Sequence, residues 1–423
     1  MFKQNDAPAQ PLDAYREYAD ASLLEEISRL SESLKRVRFV HFTSSAAPEG
    51  VVEVVRSLVS ATKGAGLQAE WHVLEPPQGQ FFTTVSRRIW DLAQGAPGAV
   101  RPEEDKIYRD VLSNAVPYAP HPQGSGEVWF LHDFPLLPLI QGMNGQAPPL
   151  RFWVCHADLS APNAQLVHHL APLLAGYTGL VFSNEASRQA AFKGLRRHVI
   201  PPAIDPLASR NRPMPRQEAR ELLSKLGLDP ARPIIAQVGR FDAWKDPRGV
   251  VDAYRVASMT LPIVQLVLMG VVADRDEAAA RALEEVRRYT AWDKNVHLIG
   301  DAASLSGPVD QVVAAVQSGA DIVAHLSQRE GFGLPVAEAM WKGHPVIGTT
   351  VASGVASQIE HDVDGYLVNN IPQCAWYALR LLRDPVLHTR MGQAAREKVR
   401  SRFLLPRMLR DYLLLVHSSQ PRG

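Results

Sequence analysis

Two cysteines in 423 residues, Cys155 and Cys374, are too few for a disulfide framework, so a reducing compartment is expected. Net charge is nearly absent as well. The 45 Lys and Arg stand against 44 Asp and Glu, a balance of +1 at pH 7. Neither nucleic acid nor an anionic membrane surface is therefore expected as a partner. No apolar run approaches the roughly 18 residues of a membrane span. The opening Met1-Phe2-Lys3-Gln4-Asn5-Asp6 has no apolar signal core, and a cytoplasmic location is expected. No Asp-x-Asp or Cys-x-x-Cys pattern is read as a metal site, so no metal is expected. What is present, 46% hydrophobic and 21% charged residues, describes an ordinary globular chain. At this length one compact core is too small, and two domains follow.

Short apolar runs alternate with helical patterns almost throughout. Residues 37–42, 70–74, 128–132, 151–156 and 180–182 are the candidate strands of a first half. Helical patterns such as 50–62, 81–92 and 163–174 lie between them. Residues 233–238, 264–270, 296–299, 321–326, 345–347 and 366–368 repeat the scheme. Strands that are apolar along their whole length, separated by helices, form parallel sheets covered on both faces. The expected fold class is α/β, with two Rossmann-like doubly wound domains facing across a cleft. Ligands of such folds bind at the carboxyl ends of the strands. The proline-rich, basic segment 198–216 is the candidate linker. The expected domains are 1–205, with an amphipathic helix at 11–36, and 206–390. Residues 391–423, within helical patterns at 385–402 and 404–417, are expected to cross back to the first domain.

Glu330-Gly331-Phe332-Gly333-Leu334-Pro335-Val336-Ala337-Glu338 is the densest chemistry in the chain. It follows a buried strand and opens a helix with proline in its first turn. Glycines allow close backbone approach to a ligand, the helix N-terminus offers N–H groups to an anion, and a carboxylate accepts from sugar hydroxyls. The segment suits a ligand carrying hydroxyls and phosphate. Arg240 follows another strand, and Lys245 stands five residues on, before a helix. Two cations there, with nothing negative that must pair with them, suit a diphosphate. In the first half, Trp153-Val154-Cys155-His156-Ala157-Asp158 closes a strand. Its histidine can hold a sugar hydroxyl or a leaving phosphate, and its carboxylate can grip an acceptor hydroxyl. Leu131-His132-Asp133-Phe134-Pro135 offers the same chemistry less specifically. Cys155 and His156 point to opposite faces of a strand and do not make a nucleophile pair. The aromatics of Gly79-Gln80-Phe81-Phe82 are read as core.

The Arg240/Lys245 pair followed by Glu330 to Glu338 resembles the C-terminal half of retaining GT-B glycosyltransferases of the family 4 type. More narrowly, Cys155-His156-Ala157-Asp158-Leu159-Ser160-Ala161-Pro162-Asn163 resembles the signature of glycosyltransferring trehalose synthases. So do Glu70-Trp71-His72-Val73 with Phe81-Phe82, Ile200-Pro201-Pro202-Ala203-Ile204-Asp205-Pro206, and Arg240-Phe241-Asp242-Ala243-Trp244-Lys245. That family joins nucleotide-activated glucose to free glucose with retention of the α configuration. The resemblance implies that Arg240 and Lys245 hold the diphosphate of a UDP-, ADP- or GDP-glucose donor. Glu330 and the backbone of Gly331, Phe332, Gly333 and Leu334 would receive the transferred sugar, and Glu338 the ribose hydroxyls. His156 would sit beside the reacting centre, Gly50 by the phosphates, and Asp133 and Asp158 on the acceptor side. It implies no resident cofactor or metal, and a small sugar-like acceptor as the second partner. A homodimer is allowed but not specified.

The sequence also departs from that pattern. The glycine-rich loop of relatives reads here Ser44-Ser45-Ala46-Ala47-Pro48-Glu49-Gly50, with only Gly50 kept. The expected glycine pair appears as Val351-Ala352-Ser353-Gly354-Val355, Asp133 precedes Phe134-Pro135, and Trp90-Asp91 replaces a His-Asn pair. Three other readings therefore stand beside the first: another small acceptor, a phosphorylase using the same disaccharide, and a non-catalytic nucleotide-sugar binder.

Overall fold

Arg38–Thr43 and Glu127–His132 are buried along their whole length, the mark of central strands covered on both faces. They lie in the computed structural model, which describes residues 2–420 except 47–49, 76–80, 123, 125, 144, 189–191, 193, 273–275 and 306, and only the backbone of 81–83. The altered Ala47-Pro48-Glu49 stretch, Gly79-Gln80 and the rings of Phe81 and Phe82 lie outside the described residues.

The chain forms two compact units, Met1–Ala203 with Phe403–Gly423, and Ile204–Arg402. Among the described residues, the strands of the first unit are β1 (Phe2–Asn5), β2 (Arg38–Thr43), β3 (Gln68–Leu74), β4 (Glu127–His132), β5 (Leu150–Cys155), β6 (Gly179–Phe182) and β7 (Arg196–Val199). Their order is β1-β3-β2-β4-β5-β6-β7. Only β1 runs antiparallel. The sequence reading has no counterpart of β1 or β7, because both are edge strands carrying Lys3-Gln4 and Arg196-Arg197 rather than apolar runs. The segment read as a linker thus begins inside β7, and the chain leaves the first unit after Ala203. The expected helix at 11–36 is a short turn, Leu12–Tyr15, and a helix, Ala21–Ser33. Trp129, Trp153, Phe134 and Phe182 centre the core under the sheet.

The second unit holds β8 (Ile234–Val238), β9 (Gln265–Met269), β10 (Val296–Ile299), β11 (Ile322–His325), β12 (Val346–Thr349) and β13 (Gly365–Val368). These strands are all parallel, in the order β10-β9-β8-β11-β12-β13. The helix Pro385–Arg402 buries Leu387, Met391, Ala395 and Val399 at four-residue spacing, and Arg396 stacks on Trp341 of the same unit. Of these two C-terminal helices only the last, Leu405–Ser419, belongs to the first unit, so the chain crosses back between Arg402 and Phe403 rather than near residue 390. Arg410 of that helix pairs with Glu26 at 3.3 Å, and Arg407 donates to the Pro201 carbonyl at 2.8 Å. No helix among the described residues is long and apolar enough to cross a membrane.

Both sheets reverse their strand order once near the middle, at β2/β4 in the first unit and at β8/β11 in the second. Such switch points part the loops above the strand ends and are where open α/β sheets take ligands.

Candidate active site

The second unit's switch point is built from the loops after β8 and β11. Gly239 donates to Met269 O at 2.9 Å, and a side chain on Gly270 would meet Gly239 O at 2.0 Å, so the strand ends meet backbone to backbone. Beyond them, the Asp242 carboxylate accepts from Trp244 N at 2.8 Å and shapes the turn that carries Lys245. Asp246, at a left-handed φ of 47°, then caps the helix Pro247–Thr260 by accepting from Gly249 N at 2.9 Å. Gln237 donates to Lys245 O at 2.9 Å, and Gln328 N to Trp244 O at 2.7 Å. The turn is thereby tied to its own strand and to the loop after β11.

That arrangement brings Lys245 Nζ into an ion pair with Glu330, 85 residues away in sequence. His325 Nε2, at the end of β11, lies 3.2 Å from the same carboxylate oxygen. A carboxylate only accepts, so His325 carries its proton on Nε2 here. Burial would push the Glu330 carboxyl up, but the Lys245 charge and the His325 hydrogen bond outweigh it and hold the group down at about 2. Glu330 is thus a fixed, ionised acceptor. Arg240 also has counter-charges, Asp242 at 2.8 Å and Asp276 at 3.7 Å. This corrects the expectation of two cations without acidic partners: a half-buried cation in the folded chain recruits a carboxylate to offset its lost hydration.

The loop between Glu330 and the next helix is held from below. Gly333 takes a left-handed φ of 87° ahead of the helix Leu334–Trp341, with Pro335 in its first turn. Gly354 N donates to Glu330 O at 2.9 Å, and a side chain on Gly354 would stand 2.4 Å from Phe332 N. Gln358, fully buried, donates to Phe332 O and to Gly354 O, the latter at 3.1 Å. Gly354 is the glycine kept where relatives were expected to carry two, and its role is close backbone packing. Gln358 and His325 escaped the sequence reading. Gln358 stands 26 residues from Phe332, so no local spacing marks it, whereas His325, five residues before Glu330, was read only as part of a buried strand.

Glu338 sits deeper than its expected role implies, 2% exposed. It accepts from Gln317 Nε2 at 2.8 Å and lies 3.8 Å from Arg210, which also pairs with Asp310. Lys342 donates to the same Gln317 at 2.8 Å. Burial pushes the Lys342 ammonium down to about 8, against the pull of Glu338.

The described residues of the first unit's switch point are joined by histidine rings instead. His41 Nδ1 lies 3.0 Å from His132 Nε2, and His132 Nδ1 lies 2.9 Å from His156 Nε2. The rings lie end to end and nearly parallel, 25° apart for the first pair and 17° for the second. The three stand on β2, at the end of β4 and just past β5. Burial lowers His41 to about 3, His156 to about 4 and His132 well below the ordinary range, so all three are neutral near pH 7. Asp133, at a φ of 62°, accepts from His156 N at 2.9 Å. Asp158 is fully buried and accepts from Ser160 N at 3.0 Å. Burial pushes the Cys155 thiol up, which disfavours the thiolate a nucleophile would need. Gly50, itself exposed, opens the helix Gly50–Gly64. Of the expected residues, Arg240, Lys245, Glu330 and the Gly331 to Leu334 loop thus gather at one switch point, and His156 and Asp133 at the other. Asp158 and Glu338 lie beneath.

Known proteins are similar to this chain in sequence and in fold. Residues 218–398 match the family described as Glycosyl transferases group 1, and residues 41–189 match the trehalose synthase N-terminal domain. The trehalose synthase of Rubrobacter xylanophilus is 35% identical over 423 residues, 98% of each chain. The α,α-trehalose 6-phosphate synthase of Burkholderia multivorans has the same fold, with a TM-score of 0.70 at 14% identity over 90% of this chain and 99% of that one. So has Anabaena HepE, solved with UDP-glucose, with a TM-score of 0.66 at 18% identity over 90% of this chain and 100% of that one. Full-length identity to a trehalose synthase, on this two-sheet architecture, places the chain in the trehalose synthase family of GT-B glycosyltransferases.

Proposed function

We propose that this chain transfers a glucosyl unit from a nucleotide-sugar to a small acceptor with retention of configuration, most simply to glucose, giving trehalose. The observation that carries this reading is the ionised Glu330 held between Lys245 and His325 at the second sheet's switch point. A carboxylate locked as an acceptor beside a cation matches a ligand whose sugar hydroxyls donate and whose phosphates are negative. The family relationship and the UDP-glucose complex of a protein of the same fold support a nucleotide-sugar donor.

In this reading Arg240 and Lys245 offset the diphosphate charge as it leaves, and Lys245 bridges that charge and Glu330. The bond from the sugar C1 to the diphosphate oxygen breaks on the face where the acceptor oxygen bonds to C1, and the leaving oxygen takes the acceptor's proton. Glu338 serves the ribose hydroxyls, and this role requires the Arg210 and Gln317 network to open or share its bonds. His156 of the first unit is the proposed group beside the reacting centre and Asp133 the proposed acceptor-side group, with Asp158 shaping the turn beneath them. No step calls on a metal. The expected setting is the cytoplasm.

The test is a screen of UDP-, ADP- and GDP-sugars with and without glucose, following nucleoside diphosphate release and the anomeric configuration of the product. Glucose-dependent release with α,α-trehalose as product supports the reading in full. Release indifferent to glucose keeps the transferase and replaces the acceptor. Trehalose cleavage that depends on inorganic phosphate and needs no nucleotide would instead make the chain a phosphorylase. Tight nucleotide binding without any release would make it a binder.

A further inference from the structure

The three first-unit histidines share a constraint that their spacing in sequence, 41, 132 and 156, does not announce. Each link of the chain joins an Nδ1 to an Nε2, at 3.0 Å and 2.9 Å. A neutral imidazole carries one N–H and one lone pair. If His41 donates from Nδ1, His132 accepts at Nε2 and must carry its own proton on Nδ1. His156 then accepts at Nε2 and carries its proton on Nδ1. If the links run the other way, all three carry their protons on Nε2. Mixed arrangements put two N–H groups or two lone pairs face to face. Burial keeps all three rings neutral near pH 7, which is the condition for the rule to hold.

We propose that His132 and His41 are positioning residues that set, through this chain, whether the outer Nδ1 of His156 donates or accepts a hydrogen bond. The proposal rests on the reading that His156 works beside the reacting centre. Its consequence is chemical: a donor at that atom holds a sugar hydroxyl oxygen or an anionic oxygen, whereas an acceptor holds a hydroxyl proton. One tautomer serves the reaction, and a histidine free to exchange both would offer the wrong atom for part of the time. The parallel strand pairing is what keeps the chain intact. His132 on β4 is registered with Val154 on β5, two residues before His156, and His41 on β2 with Phe130 of β4, two residues before His132. Each link thus repeats the same two-residue offset between neighbouring strands. Tyr412 of the last helix lies against His41, 6.2 Å between ring centroids, and closes the far end of the chain.

Long-range ¹H–¹⁵N NMR of the full-length protein reads each ring's tautomer directly. The expected result is the same protonated nitrogen in all three rings. His132→Phe keeps a flat ring between the other two and removes both links. It should turn the His156 signals into those of a tautomer mixture and lower kcat by about tenfold, the rate equivalent of one neutral hydrogen bond, with the donor KM unchanged. His132→Asn, whose amide can occupy the Nδ1 side, should recover most of that loss, and His41→Phe should produce a smaller shift in the same direction. Unlike tautomers in the wild-type rings, or a His156 tautomer unmoved by His132→Phe, would overturn the proposal whatever the kinetics. A matching NMR signature with full turnover in His156→Ala would leave the chain standing and remove His156 from the reaction, overturning the positioning role together with the reading it rests on.

Discussion

The loops at the two switch points face one problem, polar side chains at the buried end of a parallel sheet, and solve it with opposite chemistry. In the first unit the histidines are neutral: three imidazoles joined end to end by two ring-to-ring links, with burial favouring the uncharged form. In the second they are ions: Lys245 and Glu330 offset one another's desolvation, and His325 completes the carboxylate. Neutral groups tolerate burial cheaply but must agree on where their protons sit. Ions hold their protonation firmly but leave an uncompensated charge when one partner is lost. The difference teaches where each site is vulnerable, and each vulnerability can be probed.

The largest effect is expected from Glu330→Ala. It strips the sugar-facing acceptor and strands Lys245, and should cost about 2 kcal/mol or more of transition-state stabilisation, about 30-fold in kcat/KM. Near-wild-type turnover would sink Glu330 as a site residue. Gly354→Ala attacks the same site through its support. The added carbon meets backbone at 2.4 Å, so the 331–333 loop must move, at an expected cost of about 2 kcal/mol in thermal unfolding. An unchanged Tm would mean that the loop yields freely. Lys245→Ala should weaken nucleoside diphosphate binding about tenfold by calorimetry while leaving the nucleoside almost untouched, as expected when one charge-assisted contact is lost. Equal losses for both ligands would remove its phosphate role.

The pH dependence separates the two chemistries. His41 titrates at about 3 when folded, against 6.5 ordinarily, so below pH 6.5 the unfolded chain takes a proton that the folded ring refuses. Stability is lost as pH falls from 6.5 towards 3, by about 1 kcal/mol at pH 5.5. Glu330 titrates at about 2 against 4.5, so its contribution is complete above 4.5 and lost only as pH falls below that. Denaturant unfolding at several pH values should show His41→Phe flattening the upper part of the curve and Glu330→Gln only the lower part. Both variants acting over the same range would erase the contrast.

Much of this was legible from residue order. Central strands announced themselves as apolar runs and the second site as Glu330-Gly331-Phe332-Gly333-Leu334-Pro335. Edge strands β1 and β7 did not, because half-exposed strands carry the polar residues of loops. Helical periodicity found Pro385–Arg402 but could not say which unit its apolar stripe would cover. Arg240 and Lys245 were recognisable as strand-end cations, and Asp242 stands only two residues from Arg240, whereas the partner of Lys245, Glu330, lies 85 residues away.

The division has a physical basis. Hydrophobic period, glycine and proline placement, and a run of motif residues act over a few neighbours, so sequence alone specified the α/β class, the helix behind Glu330 and the strand ends where chemistry would gather. Side-chain partnership is decided by which strands lie side by side, and parallel strands pair only through long crossovers. The Lys245 to Glu330 ion pair, the Gln358 and Gly354 support beneath the loop and the link from His41 through His132 to His156 therefore came into being only with the tertiary fold.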